Sequence, residues 1–255
     1  MKHAAEDAGR LVLLRHGQST TNAEGRFTGW ADVPLTAYGE HQALVAAELL
    51  ARTGLAPDFV HTSVLRRAVH TADLLLAHLD RAWIPVRRTW RLNERQYGAL
   101  TGRRKAEVRR ESGPAQYEAW RRSLTGAPGP LPAVDLAALR ADPRYAALAG
   151  HGVPAVESLA DVITRIAPYW ADVLAPHIRR GRTVLVVSHG NALRALVAVL
   201  DRLTPDEVEQ LNIPTAAPLH YTFDAALRPT ARGGRYLDPA RAKAAAKAVA
   251  AEGHH

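Results

Sequence analysis

The sequence predicts an α/β fold, a mostly parallel sheet flanked by helices. Short aliphatic runs alternate with longer stretches whose apolar residues recur at helical spacing, the pattern of strands joined by crossover helices. The two clearest runs, LVLL at 11–14 and TVLVV at 183–187, are each followed one residue later by a His-Gly pair. An inserted irregular and helical region is expected beside this sheet, over the edge where those pairs lie.

Leu11–Leu14 is bounded by charge and glycine and reads as a buried strand. Glu40–Arg52 carries Leu44, Ala47, Leu50 and Ala51 at helical spacing. Asp58–Thr62 (DFVHT) is a second short strand, Val64–Leu79 a second helix and Ile84–Trp90 a third strand. Val156–Ile178 reads as one long helix, bent where Pro168 withholds its N–H. Thr183–Val187 precedes a helix over Ala192–Leu203, and Leu219–Phe223 closes as the last strand. Gly126–Ala155, rich in Pro, Gly and Ala, is expected as an insertion lying over the sheet. Residues 1–237 form one domain. Residues 238–255 form an Ala- and Lys-rich tail, a surface helix whose final His254 and His255 are either native or left from a purification tag.

The 255 residues are 47% hydrophobic, enough for a packed interior, yet no apolar run is long enough to cross a bilayer. The N-terminus lacks the apolar core of a signal peptide, so a cytoplasmic protein without membrane partners is expected. Absence of cysteine excludes disulfides, thiolate metal sites and a Cys nucleophile. The net charge of +8 comes with 29 Arg against 4 Lys. A basic surface can signal nucleic acid. Here no Lys/Arg run exceeds three residues, so compositional habit, with part of the excess lining a pocket for a small polyanion, is the favoured reading.

In an open α/β sheet, ligands bind beyond the carboxyl ends of the strands. If the two clearest strands are neighbours, His16 and His189 meet at that edge although far apart in sequence. Glycine after each removes a side chain where backbone turns towards a ligand, and the amides that follow can donate to phosphate. Zinc is the competing occupant. It would need a third N/O ligand, and the adjacent Arg15 disfavours a second cation, so no metal is expected.

RHGQSTTN (15–22), FTGW (27–30), TSVLRRAVHT (62–71), LNERQYGALTG (92–102), WRR (120–122) and SHGNALRAL (188–196) resemble the cofactor-dependent phosphoglycerate mutases of the histidine phosphatase superfamily. The likeness runs from about Leu11 to Phe223. RHG indicates only the superfamily; LNERQYGAL with the downstream WRR is specific to the mutase branch. Thr21 stands where an aromatic is common and Ala192 where Ser is common, and the tail matches poorly.

The resemblance implies the following roles. His16 accepts the phosphoryl group and His189 stabilises it in transfer. Arg15 and Arg67 clamp phosphate oxygens, with Gly17, Ser19, Asn22, Gly190 and Asn191 as further contacts. Guanidinium suits this task through its planar fork of donors. Glu94 is the general acid and base. Tyr97, Lys105, Arg121 and Arg122 receive the carboxylate and second phosphate, and Thr28 and Gly29 contact the carboxylate through the backbone. Phosphoglycerates are then the substrates, 2,3-bisphosphoglycerate is primer and intermediate, and the family's members are dimers or tetramers. A histidine phosphatase, in which water takes the phosphoryl group, shares the nucleophile and is the nearest rival.

Overall fold

The computed structural model describes residues 9–148 and 152–250; the first eight residues, His151, and His254 and His255 lie outside them. The chain opens with β1 (Arg10–Arg15), α1 (Thr20–Ala23) and α2 (Ala37–Arg52). Helix α2 begins three residues earlier than its apolar spacing suggests, because the Thr36 side chain accepts from Gly39 N and caps it. Then follow β2 (Phe59–Thr62), α3 (Arg66–His78) and β3 (Val86–Arg88). The third strand is much shorter than the expected Ile84–Trp90, since Trp90–Leu92 winds into a 3₁₀ turn capped by Thr89.

A long excursion carries α4 (Lys105–Ser112), α5 (Pro114–Arg122) and α6 (Ala133–Ala141). The chain returns through α7 (Leu159–Tyr169), a π-helical turn at Trp170–Leu174 and α8 (Ala175–Arg179). The expected bend is therefore a π turn that begins two residues past Pro168, where Ala175 N donates to Trp170 O five residues back. The start at Leu159 rather than Val156 is fixed by a capping box between Ser158 and Asp161. Strand β4 (Thr183–Ser188), α9 (Gly190–Asp201), α10 (Pro205–Gln210), β5 (Leu219–Thr222), β6 (Arg235–Tyr236) and α11 (Pro239–Ala250) complete the chain. Strand β6, only two residues long, was not expected.

The sheet order is β3-β2-β4-β1-β5-β6, with β3, β2, β4 and β1 parallel and β5 antiparallel to both of its neighbours, β1 and β6. Alternation along the two central strands splits the core. Leu11, Leu13, Val184 and Val186 pack with α7 and α9, whereas Val12, Leu14, Leu185 and Val187 pack with α2 and α3. Burial on both faces is why these strands read as unbroken aliphatic runs. The 126–155 stretch does not lie on the sheet. Tyr145 and Val153 join a separate cluster around Trp30, with Leu136, Leu139 and Leu148 against it.

One contact ties the first strand's loop to α2. A Cβ on Gly17 would lie 2.1 Å from Gly39 O, and a Cβ on Gly39 would lie 2.1 Å from Gln18 O. Helix propensity alone favours Gly39→Ala by about 1 kcal/mol. The backbone clash reverses the sign, and we expect a net loss of about 1–3 kcal/mol. Urea unfolding should show a lowered midpoint at unchanged slope; an unchanged or raised midpoint would refute this close packing.

Candidate active site

Strands β1 and β4 pair in register from Arg10↔Thr183 to Arg15↔Ser188. The residues after them therefore leave the sheet side by side. His16 N donates to Ser188 O at 2.9 Å, and the His16 and His189 rings stand 4.9 Å apart, edge to face. His16 Nδ1 lies 2.6 Å from Gly17 O, and Arg67 Nε donates to His16 Nε2 at 3.2 Å. A carbonyl on one side and a donor on the other assign the proton to Nδ1 and the lone pair to Nε2. Burial, then Arg67, then Arg15, hold the His16 pKa well below its ordinary value; the Gly17 carbonyl only partly opposes them. The ring is neutral, with its lone pair on Nε2. His189 is likewise held well below its ordinary value by burial first and then by Arg67, His16, Arg15 and Arg165. Its Nε2 contacts Ser63 Oγ at 2.8 Å, and Nδ1 is buried without a partner.

Arg67, in the first turn of α3, is held by Ala31 O at 2.8 Å and Gly29 O at 2.9 Å as well as by His16. Burial lowers its pKa to about 10, so it stays charged at neutral pH. Arg15 Nη1 donates to Ile213 O at 3.0 Å. Asn22 Oδ1 accepts from Ser19 N at 3.2 Å and Ser19 Oγ at 2.9 Å, which leaves its NH₂ for an anion. Glu94 Oε1 accepts from Arg95 N at 2.7 Å and Asn191 N at 3.1 Å. Its carbonyl accepts from Trp30 Nε1 at 2.6 Å and Arg165 Nη2 at 3.0 Å. Arg165 is itself paired with buried Glu157 at 2.7 Å and donates to Arg91 O and Asn93 O. The loop bearing Glu94 is thus clamped on its backbone side.

The far wall comes from α4, α5 and the tail. Lys105 opens α4, Arg121 and Arg122 end α5, and Tyr97 OH accepts from Asn191 Nδ2 at 2.8 Å. Arg122 Nη1 donates to Asn212 Oδ1 at 2.5 Å, and Arg121 Nη2 donates to Val249 O at 3.3 Å. One pocket is lined by Arg15, His16, Asn22, Thr28, Gly29, Arg67, Glu94, Tyr97, Lys105, Arg121, Arg122, Gly190 and Asn191. His189, Gly17 and Ser19 from the expected set do not line it. The His189 ring is buried edge to face with that of His16, and Ser19 caps α1. Gly17 packs closely against Gly39.

The amides after the histidines also differ from expectation. Gly17 N donates to Thr71 Oγ1 at 3.2 Å, and Asn191 N to Glu94 Oε1. Gly190 is bare for space: a Cβ there would sit 3.6 Å from both Arg15 Cζ and Glu94 Oε2, inside the pocket. Ser63, Thr71, Trp30, Arg165 and Arg194 were missed by sequence reasoning. Ser63, Thr71, Trp30 and Arg194 lie inside the quoted motifs and only Arg165 outside them; the side chains of Thr71, Trp30 and Arg165 meet backbone atoms of their partners, which no local pattern marks. Among the described residues no group of three or more His, Cys, Asp or Glu is placed to hold a metal ion.

The profile of the histidine phosphatase superfamily (branch 1) matches residues 11–227. The chain belongs to the histidine phosphatase superfamily. Within this superfamily it is 53% identical over 247 residues to a 2,3-bisphosphoglycerate-dependent phosphoglycerate mutase of Mycobacterium tuberculosis, covering 97% of this chain and 98% of that one. The mutase of the same name from Streptomyces griseus is 51% identical, covering 96% of each chain. Among solved structures, a mycobacterial glucosyl-3-phosphoglycerate phosphatase complexed with VO3 superposes with a TM-score of 0.68 at 30% identity, over 90% of this chain and 97% of that one.

The lowered histidine pKa values have a signed consequence. An unfolded histidine takes up a proton below about 6.5, whereas the folded rings at 16 and 189 do not. Stability is therefore full above about pH 6.5 and declines as pH falls below it, by up to about 1.4 kcal/mol per pH unit for each ring that stays neutral. Imidazole NMR should show neither ring titrating between pH 8 and 6. A titration near the ordinary value would put a proton on the assigned nucleophile and overturn that assignment.

Proposed function

We propose that the chain interconverts 2-phosphoglycerate and 3-phosphoglycerate through a phosphorylated His16 and 2,3-bisphosphoglycerate. The observation that carries this reading is the convergence of Arg15, Arg67, Lys105, Arg121 and Arg122 on one pocket where Glu94 is the one carboxylate in the lining among the described residues. The bisphosphate carries about five negative charges, from two phosphates and a carboxylate. The cationic lining fits such an anion, and bound 2,3-bisphosphoglycerate would supply the first phosphoryl group. Activity in glycolysis and gluconeogenesis belongs in the cytoplasm, and the resemblance supports a homodimer or homotetramer.

His16 Nε2 attacks phosphorus; the P–N bond forms as the ester P–O bond breaks, and the departing oxygen takes a proton from Glu94. In the return step a substrate hydroxyl gives its proton to Glu94 as its oxygen attacks phosphohistidine. Arg15, Arg67 and Asn22 hold the equatorial oxygens, and His189 offers Nδ1–H to them; in a loose transition state such donors supply most of the catalysis. Arg121, Arg122, Lys105 and Tyr97 hold the far anion. Thr28 and Gly29 meet the carboxylate.

Incubation with 2,3-bisphosphoglycerate should add one phosphate to the wild type by intact mass and none to His16→Ala. Mutase turnover should require the bisphosphate primer. An equal adduct on the variant, or primed wild type that releases only inorganic phosphate, would sink the reading.

A mutase must also keep water from phosphohistidine. Helix α11 begins where the tail was expected to, and its Val249 lines the pocket and accepts from Arg121; residues 251–255 lie outside the described residues. The tail is read here as a cover for the loaded site. Truncation after Leu237 should lower mutase turnover and raise bisphosphate hydrolysis relative to it. The same ratio as the full chain would reduce the tail to a surface helix.

A further inference from the structure

Arg194 lies on α9, 5% exposed, one turn beyond Asn191, and has no ion pair among the described residues. Its two terminal nitrogens donate instead to four oxygens, while Nε is buried without a hydrogen-bond partner among the described residues. Nη1 donates to Asn191 Oδ1 at 2.9 Å and Arg121 O at 3.2 Å; Nη2 donates to Val208 O at 2.7 Å and Arg122 O at 3.0 Å. These acceptors come from α9, the end of α5 and α10. Arg121 O and Arg122 O belong to the last turn of α5, where carbonyls lack helical partners and a cation is favoured.

We propose that Arg194 is a positioning residue that sets the place of the far-anion subsite relative to the histidine pair, and so selects ligands with two anionic ends. The proposal rests on the reading above, in which Arg121 and Arg122 receive that second anion. Three of its four bonds end on atoms that carry this subsite. The α5 carbonyls fix the backbone from which the Arg121 and Arg122 side chains depart. The Asn191 bond orients that amide so that Nδ2 reaches Tyr97 OH at 2.8 Å. No bond runs to His16, Arg67 or His189. A lysine would keep the charge but cannot span oxygens on three segments, because its donors share one nitrogen on a flexible stem.

The test uses full-length Arg194→Gln and Arg194→Lys, with binding of 3-phosphoglycerate and of orthovanadate measured by calorimetry. Vanadate occupies only the phosphoryl site beside the histidines. Both variants should weaken 3-phosphoglycerate by about tenfold or more, and raise KM more than they lower kcat, while vanadate affinity stays within about threefold. Wild-type affinity for 3-phosphoglycerate in Arg194→Lys would mean that charge alone matters and would overturn the proposal. So would parallel loss of vanadate binding, or loss of a cooperative melt in both variants, since either assigns Arg194 to the general fold. Primed wild type that binds 3-phosphoglycerate without isomerising it would defeat the mutase reading, yet still leave the two affinities to judge Arg194. Wild type that binds no phosphoglycerate would overturn both.

Discussion

The parallel pairing of β1 with β4 is the constraint on which the site depends. It places Arg15 opposite Ser188, so the next residues, His16 and His189, emerge together at the carboxyl edge. Because side chains alternate along a strand, a one-residue slip would exchange the Leu11/Leu13 and Val12/Leu14 faces between two separate cores. Hydrophobic sorting therefore holds the histidine geometry. The chemistry inherits its precision from aliphatic residues that never touch a ligand.

The second constraint is electrostatic. Several guanidinium groups are crowded into one region with few carboxylates, and burial there penalises every charge. The structure relieves this with backbone oxygens. Arg67 binds the Ala31 and Gly29 carbonyls, Arg165 those of Arg91, Asn93 and Glu94, and Arg194 those of Arg121, Arg122 and Val208. Arg165 is also paired with the buried Glu157 carboxylate, whereas the carbonyls on Arg67 and Arg194 satisfy N–H groups without cancelling the positive field. The same field, with burial, keeps both histidines neutral. A Glu or Asp in place of these carbonyls would stabilise the cations more and leave less field for the ligand.

What was legible in the sequence follows from these two constraints. Strands buried on both faces read as aliphatic runs, so LVLL and TVLVV were clear, and their neighbour relation was correctly expected from the His-Gly endings. Many of the residues that line the pocket sit in dense local motifs and were singled out, whereas Arg26, Arg194 and Asn212 also line it and were not. Strand β3 was overextended because Trp90 and Leu92 are apolar in a 3₁₀ turn as well as in a strand; periodicity over so short a run cannot tell the two apart. The 126–155 stretch was placed on the sheet because its composition gives no partner. Its Tyr145 instead meets Trp30, a hundred residues away in no fixed pattern. The close packing of Gly17 on Gly39 was not legible, because the two glycines are distant in sequence and no local pattern pairs them. Arg194 escaped notice because its targets are backbone oxygens, which every residue carries.

This division bears on how one superfamily could hold both mutases and phosphatases. The phosphoryl centre, built at the ends of β1 and β4, belongs to the sheet and offers the same nucleophile to either reaction. Whatever separates a transfer to glycerate from a transfer to water must lie in the parts that recognise a second anion or exclude solvent. On the proposed reading those parts are α4, α5 and α11, all outside the sheet and joined to the centre by polar contacts of single residues. Such contacts can change one at a time without disturbing the aliphatic register beneath. A fold organised in this way can alter the acceptor of its phosphoryl group while the histidine pair stays fixed.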